Sequence, residues 1–291
     1  FPNKLDGDGS PTRLVVLQST IREKLTSRAT KAWLGYSTLE ETYLEGTLEI
    51  VGNVFDGRRL GGIGIDLNGT ATHASIHNNQ IHRFDDYSAT GQDATESRIG
   101  IRISGGAKAD VLNNSISFNY GWKDSWTYTN CGMGIYVKAT AKTTIFGNLF
   151  YDNYCKGTTN GTGNAHVRAP AQNVSVAYNA MLQHNVTNHA LVAGGVENHA
   201  FITETGHDWP HFLVDPAGFM NNKAGKDKGQ PDAIYLDHDG SRNDIGPNGG
   251  RNYLPNGRAT NKPVPISFTA APLAVPAGGI ITIQSTGATV K

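Results

Sequence analysis

Lys138, Arg168, Arg102, His166 and Tyr136 are the residues whose types and spacing could act together chemically in this 291-residue chain. Most fall in four short stretches that alternate in polarity: "GIDL" (64–67), "GIRI" (100–103), "GIYV" (134–137) and "NAHV" (164–167). With Ile, Leu and Val turned inward, alternation puts Asp66, Arg102, Tyr136 and His166 in one outward column. Asn68, Ser104, Lys138 and Arg168 form the next. Arg grips carboxylates bidentately, and Trp122, Trp126 and Tyr128 in a neighbouring insertion offer faces on which sugars stack. The chemistry this suggests is β-elimination on a uronate: a base takes the proton α to the carboxylate while cations stabilise the enolate-like charge. Lys138 crowded by Arg is the expected base, with Arg168 beside it and His166 or Tyr136 protonating the leaving oxygen. Arg102, Asp66, Ser104 and the aromatic residues are expected to hold substrate. A solvated polar face is the competing reading of the same columns.

These columns need strands stacked in register, and the sequence repeats accordingly. Aligned segments are "VLQSTI" (16–21), "IVGNVF" (50–55), "IHNNQI" (76–81), "VLNNSI" (111–116), "IFGNLF" (145–150) and "VAYNAM" (176–181). Their fourth positions, Ser19, Asn53, Asn79, Asn114, Asn148 and Asn179, lie 34, 26, 35, 34 and 31 residues apart. A fixed core with variable spacing is the signature of a β-solenoid, where each coil returns its strands to one place and the loops bulge outward. One Asn per rung, with rungs about 4.8 Å apart, predicts a ladder of side-chain amides. Long insertions at 85–98, 120–133 and 154–164 all precede the next outward column and are expected to wall one face.

Composition narrows the function classes. The 25 basic and 25 acidic residues cancel, so no global field recruits nucleic acid or an anionic membrane. No run is long and apolar enough to span a bilayer. Two cysteines, Cys131 and Cys155, are too few for a disulfide framework, although they could bridge two insertions. The richness in Gly, Asn, Ser and Thr points to an extracellular protein, secreted or on the cell surface. His73 and His77 stand about 13 Å apart on an extended strand, too far to share a metal. "LDGDGS" (5–10) lacks the closing Glu of an EF-hand. Asp85, Asp86, Asp93, Glu96 and Asp124 could hold Ca²⁺ or supply a hydrolase's carboxylates.

The repeat, over roughly residues 14–200, resembles the right-handed parallel β-helix superfamily of pectate-lyase-like proteins. "DHDGSRNDIGPNGG" (237–250) is similar to the Asp-Gly-Ser/Thr-x-x-Asp-Ile/Met-Gly-x-x-Gly-Gly segment that often closes bacterial secreted β-helix proteins, with Pro247-Asn248 replacing the Ala-aromatic pair of many relatives. The resemblance implies an all-β right-handed parallel β-helix of about six coils, with Lys or Arg bases on its working face. The expected organisation is a β-helix with closing region over 1–250, a linker over 251–265, and a C-terminal β segment over 266–291. The leading functional expectation is a lyase on acidic polysaccharide. The alternatives are a non-catalytic surface or fibre protein associating end to end, and a glycoside hydrolase.

Overall fold

The computed structural model describes residues 13–58, 62–84, 97–122, 131–151, 153–156, 165–169, 174–183, 190–193, 198–199, 202–205, 225–251, 253–254, 257–258, 260–271 and 279–289. Among them the chain forms strands and turns with no helix. It winds as a right-handed parallel β-helix with three faces. The first sheet contains eight strands, from Arg13–Leu17 to Asn198–His199; the second has eight, from Thr20–Ile21 to Ile202–Thr205; the third has seven, from Leu25–Ser27 to Ala190–Ala193. Neighbouring strands in each sheet come from successive coils, giving seven complete coils and the first two strands of an eighth.

Alternation builds the core. Leu34, Ile50, Ile76, Val111 and Ile145 are register partners on the first sheet and are all fully buried. Leu39, Phe55, Ile81, Ile116 and Phe150 repeat the arrangement on the second. Each such side chain contributes roughly 1.5–3 kcal/mol by leaving water. A single continuous apolar cluster runs through the coils.

The corner between the first and second sheets carries the ladder. The Ser37, Asn53, Asn79, Asn114 and Asn148 amides donate to the side-chain oxygens of Asn53, Asn79, Asn114, Asn148 and Asn179, at 2.9–3.0 Å. Asn79, Asn114, Asn148 and Asn179 also donate from Nδ2 to carbonyls of their own coil and the one before, as Asn114 does to Leu112 and Ile76. Ser37 was not among the aligned positions. The 34-residue interval between Ser19 and Asn53 contains a further coil in which Ser37 Oγ accepts from the Ser19 amide at 3.0 Å. The residue before each rung is left-handed in all seven coils: Gln18, Tyr36, Gly52, Asn78, Asn113, Gly147 and Tyr178, with φ of 45–66°. That conformation turns the chain sharply and aims the next side chain inward.

The described residues of 225–264 (225–251, 253–254, 257–258 and 260–264) run down the outside of this corner as a strap. Asn113 Nδ2 donates to Asn243 Oδ1 and the Asp244 carbonyl, Gly246 N to the Gly147 carbonyl, and Asn78 Nδ2 to the Pro247 and Gly249 carbonyls. Further along, Arg258 reaches the Ser37 carbonyl and Thr38 Oγ1, while Gln18 donates to the Gly257 and Thr260 carbonyls. The stretch expected as a linker therefore includes these corner contacts. Val264–Ala271 and Thr282–Ala288 then pair antiparallel. Among the described residues no helix is long and apolar enough to cross a membrane.

Candidate functional site

The outer face of the third sheet brings most of the expected site residues together. Strand register aligns Tyr43, Asp66, Arg102, Tyr136 and Arg168 in consecutive coils. Arg102 grips Asp66 bidentately, Nε to Oδ1 at 2.9 Å and Nη2 to Oδ2 at 2.6 Å. Asp66 is only 3% exposed beneath that guanidinium, so the pair forms a closed floor. Above it in the column, the Arg168 guanidinium lies 6.0 Å from the Tyr136 ring centroid, within cation–π range. In the adjacent column Ser104 Oγ donates to Asn68 Oδ1 at 3.2 Å, Asn68 Nδ2 to Tyr43 Oη at 3.0 Å, and Tyr43 to Glu45 at 2.6 Å. Lys138 follows Ser104 one coil on, its amide bonded to the Ile103 carbonyl, and its side chain is part-exposed. Glu41, not singled out by sequence, borders this face. Burial, opposed by Lys24 and reinforced by the Glu40 and Asp66 carboxylates, raises it above the ordinary carboxylate range.

His166 is not in the outward column. It is fully buried, and Arg168 occupies the place beside Tyr136. The "NAHV" frame slips by two residues: Val167, not Ala165, pairs with Ile135, so His166 lies beside Gly134. A shift of two preserves alternation, so polarity alone could not choose the frame. At this corner the ring turns inward, 5.7 Å from the Phe150 ring centroid. It ends a second, shorter ladder that sequence reading passed over. The Phe84 amide donates to Asn119 Oδ1, the Asn119 amide and Nδ2 donate to Asn153 Oδ1, and Asn153 Nδ2 donates to His166 Nδ1 at 3.1 Å. Asn153 Oδ1 is accepting, so its nitrogen must donate; Nδ1 is therefore the accepting imidazole nitrogen. Its expected acid role is replaced by a structural one.

Trp126 and Tyr128 lie outside the described residues, as do the side chains of Trp122, Cys131 and Cys155 and the acidic loop residues Asp85, Asp86, Asp93, Glu96 and Asp124. At the base of two insertions the backbones of Tyr120–Trp122 and Tyr154–Lys156 pair in parallel. Among the described residues no group of three or more His, Cys, Asp or Glu is placed to hold a metal.

The first sheet's outer face holds features that sequence reading missed. A groove of about 740 Å³ runs across its strands. Beside the strap, a second cavity of about 510 Å³ is lined by Trp33, Tyr36, Glu49 and His77. His77 faces Glu49 through Nε2 and Asn78 Oδ1 through Nδ1. Asn78 Nδ2 already donates to the strap, so Nδ1 is the donor to its oxygen. Burial and the Glu49 charge push the Tyr36 phenol up to about 12. No family model, curated protein or solved structure matches the chain.

Proposed function

We propose that this protein is an extracellular, pectate-lyase-like β-helix that cleaves a uronate-containing polysaccharide by β-elimination on the outer face of its third sheet. The observation that carries the reading is the register column of Tyr136 and Arg168, with Lys138 in the neighbouring column. In this reading the Arg168 guanidinium binds the substrate carboxylate and stabilises the charge that develops there. The Lys138 amine receives the α proton. The electrons of that C–H bond form the new double bond, those of the glycosidic C–O bond leave with oxygen, and the Tyr136 phenol protonates that oxygen. No water is consumed. The Asp66–Arg102 pair stiffens the floor beneath this column. Hydrolysis has weaker support on this face, because both Asp66 oxygens are engaged by Arg102 and a glycosidase needs two working carboxyl groups.

Incubation with pectate, alginate and glycosaminoglycan panels tests the reading. The expected product carries an unsaturated, ultraviolet-absorbing uronate end with at least one polymer. New reducing ends without unsaturation would replace elimination by hydrolysis, and no new ends on any polymer would end the enzymatic reading.

A further inference from the structure

On the outer face of the first sheet, Arg13, Lys31, Thr47, His73, Lys108 and Lys142 are register partners in six successive coils. All six are exposed. Five of them are basic residue types, in a column spanning about 24 Å at the usual strand spacing. Lys108 and Lys142 are direct neighbours, an arrangement that costs stability in a sheet. Among the described residues neither they nor Lys31 have an ion-pair partner. Two residues along each strand a second column runs parallel to the first: Glu49, Ser75, Asp110, Thr144 and Ser175. The groove of about 740 Å³ is lined by Thr47, His73, Lys108 and Lys142 of the first column and by all five residues of the second.

The geometry points to this groove as a second, non-catalytic binding track for a carboxylated polysaccharide strand lying along the helix axis. The cationic column meets an anion repeated along one edge of the ligand. The neighbouring carboxylates and hydroxyls suit an edge of sugar hydroxyls, because Glu49 and Asp110 accept hydrogen bonds and the Ser and Thr residues both donate and accept. The same two carboxylates disfavour a ligand charged on both edges, such as a nucleic acid strand. Strand register fixes the backbone of both columns, so binding has only the exposed side chains to order. The track lies on a different sheet from Lys138 and would retain a long polymer while its chain is cut elsewhere. The inference takes its ligand class from the proposed function but does not depend on cleavage.

The test is calorimetric titration of long-chain polygalacturonate into the full chain carrying Lys138→Ala and Arg168→Ala, which disables the third-sheet face. Binding is expected to persist there, and adding Lys108→Glu and Lys142→Glu is expected to raise Kd about tenfold at low salt. In the otherwise wild-type chain, Lys108→Glu and Lys142→Glu should leave the cleavage of short oligomers unchanged and slow that of long polymer. Loss of all binding in the Lys138→Ala, Arg168→Ala protein would overturn the second track while leaving the catalytic reading intact. Persistent, lysine-dependent binding without unsaturated ends from wild type would do the reverse. Equal affinity for dextran sulfate, which carries no carboxylate, or for single-stranded DNA would overturn the carboxylate assignment.

Discussion

His82 ends a strand of the second sheet, flanked by Asp56 and by Arg83, whose guanidinium holds Asp56 bidentately. Burial, only partly offset by Asp56, pushes its imidazole down to about 4. A histidine depressed on folding is neutral in the folded chain and charged in the unfolded one between about 4 and 6.5, so stability is lost as pH falls through that window. Thermal unfolding should therefore show a midpoint drop of roughly 5 °C from pH 6.5 to 4 that is absent in His82→Gln. Identical acid profiles for the two proteins would refute the assignment. Residue chemistry was only partly legible from sequence. Alternation placed Asp66, Arg102 and Tyr136 in one column, and register agrees. It could not show that Asp66 is sealed beneath Arg102 or that His166 faces inward, because each depends on contacts across coils. The basic column was readable in principle. Each member stands six residues before its rung, from Arg13 before Ser19 to Lys142 before Asn148.

At the scale of elements, the strap and the ladder share one corner. Asn78 serves both, with its backbone at φ 57° and its Nδ2 bonded to two strap carbonyls. Asn78→Gly keeps the backbone at ease but removes the two strap bonds and the one accepted from His77, and should cost about 2–3 kcal/mol in denaturant unfolding. Asn78→Ala adds the left-handed penalty and should cost about 1 kcal/mol more. Equal losses would show that the turn carries no strain for a β-carbon. Within the strap, burial raises both Asp237 and Asp244 above the ordinary carboxylate range, against backbone hydrogen bonds that lower them. Folded carboxyls that hold their protons more tightly lose stabilising power as pH rises, so this pair runs opposite to His82. The repeating Asn revealed the ladder in advance. The coil at Ser37 escaped notice because serine replaces asparagine there and the insertions that lengthen later coils are absent, bringing consecutive rungs to 18 and 16 residues.

The described coils stack into a three-faced solenoid whose register turns short sequence repeats into long chemical columns. Two of its outer faces carry such columns, on the third sheet around Arg168 and Lys138 and on the first sheet around Lys108 and Lys142. On the proposed function, this spacing is what would let a repeating acidic polymer meet the same kind of group at each rung of a chain with no net charge. The fold was readable because core alternation and the corner Asn recur in most coils. The substrate was not readable, because loops and outer faces vary from coil to coil without disturbing the core. The most direct test of the account is the rate at which Lys138→Ala forms unsaturated uronate ends on the best polymer substrate. The account predicts a loss of about a hundredfold or more with the thermal midpoint unchanged. A variant that cleaves as fast as wild type would contradict it.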